Sequence, residues 1–190
     1  VETVYEHEHQ VREVVPLADG SGLVFRVDAL ETARDVYLLS LDGTKTLRPL
    51  LVSREDEKQM RPSPDGRWLA YVSDESGVQQ VYLRALSGGG RIPVSVGEAQ
   101  EPMWSRDGRR LIYREGERFV EATVQGAATP SIGGRRVLAS GDYGSDTFHA
   151  FYDQLPDGSL LLVQPASDER QLVLVHNWRT EIARRLAGVP

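Results

Sequence analysis

The sequence has no cysteine, which excludes disulfides, thiolate zinc sites and cysteine nucleophiles and ties the chain to no reducing compartment. Lysine is nearly missing, with only Lys45 and Lys58, and Asn177 is the sole asparagine. Arginine carries the positive charge instead, as a GC-rich coding bias would produce. Positive charge is also in deficit, 22 Lys and Arg against 28 Asp and Glu for a net charge of −6. The broad basic surface that holds a phosphate backbone is therefore absent, and nucleic acid is not an expected partner. Apolar stretches such as Leu160 to Val163 and Leu172 to Val175 are short, far below the roughly 18–20 residues of a bilayer-spanning helix. No membrane segment is expected within the chain. The sequence opens at Val1 with neither an initiator Met nor a signal-peptide pattern, which reads as a piece cut from something longer.

What is present is ordinary globular composition, 190 residues of which 40% are hydrophobic, enough for a real core. Through it runs a repeat. An Asp-Gly turn followed by an apolar triplet occurs four times, as Asp19-Gly20 with Leu23-Val24-Phe25, Asp65-Gly66 with Leu69-Ala70-Tyr71, Asp107-Gly108 with Leu111-Ile112-Tyr113, and Asp157-Gly158 with Leu161-Leu162-Val163. Successive aspartates stand 46, 42 and 50 residues apart, close to the roughly 40–50 residues of one four-stranded propeller blade. The apolar runs are short, rich in β-branched and aromatic residues, and bounded by Gly and Pro, which excludes a helical solenoid.

The reading is an all-β chain of about four propeller blades, each of four antiparallel strands, forming part of a larger ring with a short C-terminal helix. It takes residues 1–190 as one partial propeller domain with units at about 11–52, 58–97, 99–139 and 147–176, and places the helix at about 178–187. The last unit supplies three strands, Phe148 to Tyr152, Leu160 to Val163 and Leu172 to Val175, and lacks a fourth of its own. Pro93 has no amide donor and belongs on an outer edge strand.

Each candidate for chemistry has a plainer reading beside it. The recurring Asp65, Asp107 and Asp157 could pass for metal ligands or catalytic acids, but repeat spacing puts them in equivalent turns on separate blades, too far apart to share a proton or an ion. Asp19, Gly20, Asp65, Gly66, Asp107, Gly108, Asp157 and Gly158 are read as structural turns, Asp bonding nearby amides and Gly accepting positive φ. His7 and His9 flank Glu8 with strand alternation and could offer two nitrogens to a divalent metal. No third ligand is evident, and an exposed strand or frayed terminus is the simpler account. The polar loop with Asp142, Tyr143, Asp146 and His149 is the one candidate for a ligand or partner contact. Ser21 lacks the Gly-x-Ser-x-Gly elbow of a hydrolase nucleophile and is read as a turn residue. Trp68, Tyr71, Tyr82, Trp104 and Tyr113 are read as core, and paired arginines such as Arg109-Arg110 and Arg135-Arg136 as solvated faces. No catalytic, cofactor or metal residue is assigned.

The stretches Ser63-Pro64-Asp65-Gly66-Arg67-Trp68-Leu69-Ala70-Tyr71 and Trp104-Ser105-Arg106-Asp107-Gly108-Arg109-Arg110-Leu111-Ile112-Tyr113 resemble the WD40-like repeats of TolB-type β-propellers. Gln171 to Trp178, after Tyr152 to Gly158, resembles the end of propellers fused C-terminally to bacterial membrane-anchored serine/threonine protein kinases. The resemblance departs at Pro62 and Gln154, where the repeat often has Trp, and at Leu155, where it has Ser. It implies a non-catalytic binding or sensing module on the extracytoplasmic, periplasmic side of a bacterial membrane. A protein or peptide is the implied partner, no cofactor is needed, and further blades or self-association would complete the ring. The chain itself carries no Gly-rich loop or His-Arg-Asp loop, so any kinase activity would lie upstream. Two alternatives are an accessory propeller of a prolyl-oligopeptidase-type serine hydrolase and a metal-dependent propeller hydrolase.

Overall fold

The computed structural model describes residues 3–29, 31–126, 129–146, 149–165 and 170–174. The chain divides into two compact units, Val1–Ala139 and Ser140–Pro190. Described residues form strands and turns, with no helix among them; the proposed helix at 178–187 lies outside them.

The first unit holds three antiparallel meanders. The first consists of β1 (Gln10–Pro16), β2 (Gly22–Ala29), β3 (Ala33–Ser40) and β4 (Leu47–Leu51), in that order across the sheet. The second has β5 (Lys58–Pro62), β6 (Trp68–Ser73), β7 (Gln80–Ala85) and β8 (Arg91–Pro93), with Pro93 on the edge strand. The third has β9 (Gln100–Trp104), β10 (Arg110–Glu115), β11 (Arg118–Gln125) and β12 (Ser131–Ser140). Each strand pairs with its neighbour in sequence, which is the connectivity of a propeller blade. The first strands contact one another, β1 against β5 and β5 against β9, and so lie innermost. The second unit contains β13 (Tyr152–Gln154), β14 (Leu160–Pro165) and β15 (Arg170–Leu174) in one three-stranded sheet. Of the strand expected over Phe148 to Tyr152, Phe148 lies outside the described residues and β13 begins at Tyr152, pairing with β14 through Gln154↔Leu160.

The pleat decides which side chains bind the blades together. Val24 and Val36 face the second sheet and meet Leu69, Tyr71 and Tyr82 there. Trp68, Ala70, Val72, Val81 and Leu83, on the opposite face, meet Leu111, Tyr113, Val120 and Ala122 of the third. Tyr71 and Tyr113 are fully buried. Burial drives the Tyr71 hydroxyl pKa upward and pushes that of Tyr113 up to about 12. Both hydroxyls are un-ionised at neutral pH.

Polar groups join the blades at two radii. At the outer rim the Arg48 guanidinium donates to the Leu86 carbonyl and Arg84 to the Leu50 carbonyl, while Arg135 donates twice to Val94 O, at 2.9 and 2.6 Å. Arg136 pairs with Glu121 at 2.8 Å. These two arginines therefore stitch strands and blades rather than merely solvate a face. At the inner rim the residue six before the Asp of the repeat reaches to the next blade in the first two units. Glu13 Oε2 and Oε1 accept the backbone N–H groups of Gln59 and Met60, both at 3.0 Å, and Gln59 Oε1 accepts the N–H of Glu101 at 2.6 Å. Gln59 and Glu101 hold φ of 53° and 59° where the inner strands shift register. Such a conformation costs roughly 1–3 kcal/mol, and the amides it turns outward are the ones clasped. The fourth repeat has Phe151 at this position, which can accept no such bond.

Candidate functional site

The turns that punctuate the repeat are built alike. In the second blade Ser63 Oγ donates to Asp65 Oδ1 at 2.6 Å, Arg67 N–H donates to the same oxygen at 3.1 Å, and Trp68 N–H donates to Ser63 Oγ at 2.9 Å. In the third, Ser105 Oγ donates to Asp107 Oδ1 at 2.6 Å, Arg109 N–H to that oxygen at 3.1 Å, and Arg110 N–H to Ser105 Oγ at 3.0 Å. Gly66 and Gly108 share a φ of 67°, a left-handed geometry that favours glycine. The outer turns keep less of the net. Asp19 accepts from Ser21 N and Oγ at 2.9 and 2.7 Å, and Asp157 accepts from Ser159 N at 3.0 Å.

The second and third turns stand side by side: a Cβ on Gly108 would lie 3.6 Å from Pro64 Cδ. Asp65 and Asp107 consequently line one cleft, each in the turn of its own blade. Face-to-face packing of the sheets brings their ends together, and repeat spacing does not encode that distance. The cleft encloses about 520 Å³ and is completed by Arg67, Trp68, Gly108, Arg109, the end of β11 from Thr123 to Gln125, and Gly126 after it. This is within the roughly 300–1,000 Å³ of ligand clefts.

Its charges are unequally employed. The hydrogen bond from Ser105, with that from the Arg109 amide, holds the Asp107 carboxyl below the ordinary carboxylate range. Partial burial opposes ionisation of Asp65, but its bonds from Ser63 and Arg67 outweigh it and lower the pKa as well. Both turns therefore carry carboxylates at neutral pH. Arg67 Nε donates to Asp65 Oδ2 at 2.7 Å, with its guanidinium 6.0 Å from the Trp68 ring centroid. Asp107 Oδ2 instead faces Arg110, at 3.5 Å. The sequence marks Asp65, Asp107 and Gly108 as turn residues and gives no sign of Thr123 and Gln125. The Asp-Gly-Arg triplet shared by these two units was the available signal.

The other sequence candidates are placed as follows. In the loop before β13, Asp146 Oδ1 accepts the His149 N–H at 3.2 Å and lies 3.3 Å from its Nδ1. Asp142 is exposed, and the Tyr143 ring lies beside Gly141. His7 and His9 are not in a strand. Their ring centroids are 5.6 Å apart, His7 Nδ1 accepts the His9 N–H at 3.0 Å, and His7 packs against Phe25 and Tyr37. No three His, Asp or Glu side chains among the described residues converge as a metal-holding group, and no described helix is long and apolar enough to cross a membrane.

A second group of buried charges lies where β4 leads into β5. Lys58, 1% exposed, has Nζ 4.0 Å from Asp56 Oδ2, and Asp56 also pairs with Arg34. Burial lowers the Lys58 pKa. Glu57 is 3% exposed. Its Oε1 accepts the Ser53 hydroxyl at 2.7 Å, but burial dominates and pushes its pKa up to about 7.

No protein-family model matches the sequence, and no curated protein sequence matches it. Solved structures do match. TolB from Acinetobacter baumannii superposes with a TM-score of 0.64 at 18% identity over 90% of this chain and 42% of its own. A TolB-type protein from Agrobacterium tumefaciens gives 0.63 at 20% identity over 89% of this chain and 59% of its own. A puromycin-hydrolyzing peptidase from Mycobacterium tuberculosis gives 0.61 at 18% identity, over 82% of this chain and 28% of its own. The chain thus spans less than two thirds of the length of each of these neighbours. With its four-stranded antiparallel meanders, it has the β-propeller fold of TolB-type proteins.

Proposed function

We propose that the chain is a non-catalytic recognition module of a larger propeller, binding a protein or peptide at its turn-bearing end. The observation that carries this reading is the polar cleft, where two rigid Asp-Gly turns and the end of β11 present charged and amide groups from a fixed scaffold. The loop with Asp142, Tyr143, Asp146 and His149 is a second contact in this proposal. Further blades would complete the ring. Leu23 and Phe25 occupy the register of Leu69 and Tyr71, and of Leu111 and Tyr113, the pairs that pack against a preceding sheet. In the first blade these two side chains gather with Val27, Tyr37, Leu39 and Leu47 in a cluster of their own.

On this proposal the chain is one partial propeller domain on the extracytoplasmic side of a bacterial membrane, forming the C-terminal part of a receptor-type serine/threonine kinase. The fold similarity to a peptidase favours a second reading, a propeller accessory to a hydrolase. The reading frame on both sides of the chain separates the two. A kinase catalytic loop upstream fits the first, and an α/β-hydrolase domain downstream fits the second. For recognition itself, a photo-cross-linking residue is placed at Gln125 in host cells, with Val96, 75% exposed, as the reference position. A discrete adduct from position 125 alone is the expected result. Equal adducts from both positions, or none, would overturn the assignment of this end.

A further inference from the structure

Arg67 and Arg109 are repeat-equivalent, each two residues after the Asp of its turn, and both line the cleft. Only Arg67 is within bonding distance of the carboxylate of its turn; Arg109 acts on Asp107 through its charge alone. Arg67 is paired with Asp65 at 2.7 Å, whereas Asp107 presents its second oxygen to Arg110, at 3.5 Å, and its first to Ser105 and the Arg109 amide. The Arg109 side chain makes no hydrogen bond or ion pair among the described residues, although its backbone is held by the turn and by Val124 N–H donating to its carbonyl at 2.8 Å. A guanidinium anchored at its base on a rigid turn, beside an identical arginine that does hold a carboxylate, is a site waiting for a second carboxylate.

We propose that the cleft between the second and third Asp-Gly turns binds an acidic peptide segment, with Arg109 as the group that receives an Asp or Glu side chain. The proposal rests on the recognition-module reading and names the chemistry of its partner. Arginine supplies a planar pair of N–H donors that match a carboxylate edge on. Thr123 and Gln125 line the same cleft and supply polar groups for the flanking peptide. Arg106, exposed in the same third turn, adds positive charge to that turn. The two aspartates are ionised, but Arg67 pairs with Asp65 and Arg110 with Asp107, which leaves the Arg109 charge to meet the ligand.

The test is selection of a random heptapeptide display library on the full chain, on Arg109→Gln, and on Arg54→Gln, which removes the same charge from an exposed position in the β4 to β5 loop. The expected result is enrichment of peptides containing Asp or Glu on the wild type and on Arg54→Gln. Binding of the winning peptide to Arg109→Gln should be weaker by about tenfold or more, as for loss of a charge-assisted hydrogen bond. Enrichment of peptides without acidic residues, or equal binding to Arg109→Gln, would overturn this proposal while leaving the recognition reading in place. Enrichment of no peptide on the wild-type chain would count against both.

Discussion

Glu57 gives the sharpest energetic prediction. Its carboxyl is 3% exposed and its pKa stands at about 7, against the ordinary 4.5, with burial as the main cause and the Ser53 bond opposing it. A carboxyl whose pKa is raised by folding favours the folded state while protonated. That stability is present below pH 4.5 and is lost as pH rises from there through 7. At about 1.36 kcal/mol per pKa unit, the loss over that whole window is about 3 kcal/mol. Between pH 5 and pH 8 it is about 2 to 3 kcal/mol. Glu57→Gln keeps the acceptor for Ser53 and the shape of the side chain but carries no charge at any pH. The measurement is urea unfolding of both proteins at the two pH values. Wild type should lose roughly 1 M in midpoint relative to the variant on going from pH 5 to pH 8, for a urea slope of about 2 kcal/mol/M. A wild-type-minus-variant difference that does not change with pH would refute the reasoning.

Three further substitutions probe the turns and the seams between blades. Gln59→Ala removes the acceptor of the Glu101 amide, and denaturant unfolding should show a loss of about 1–3 kcal/mol. Gly108→Ala places a Cβ in ordinary contact with Pro64 but in a left-handed backbone, so a loss of about 1–2 kcal/mol is expected by the same assay. Trp104→Phe deletes the indole N–H that reaches the Arg61 carbonyl across the blade seam at 2.8 Å, and thermal unfolding should report about 0.5–1.5 kcal/mol.

The blades were legible because their signals are local. Asp-Gly turns with an apolar triplet recur at blade spacing, and the turn chemistry seen at Ser63 to Trp68 follows from side chains bonding amides two to five residues away. Pro62 read as a mere departure from the repeat. The structure gives that departure a consequence, since Trp104 at the equivalent place donates across the blade seam and proline has no group to do so. The inner clasp was not legible. Glu13 and Gln59 differ in charge, and they take backbone amides 42 to 47 residues away, which no local pattern announces. The cleft was hidden for a related reason. Arg109 reads as one of several solvated arginines, and its lack of a close ion pair shows only when its turn is compared with that of Arg67.

Hydrogen–deuterium exchange of the chain with and without a bound partner, either the protein captured from position 125 or the selected heptapeptide, tests the recognition claim most directly. The account predicts slower exchange at the amides of residues 107–109 and 123–126, with the first blade unchanged. Slowed exchange confined to other segments would contradict the assignment of the cleft as the recognition site.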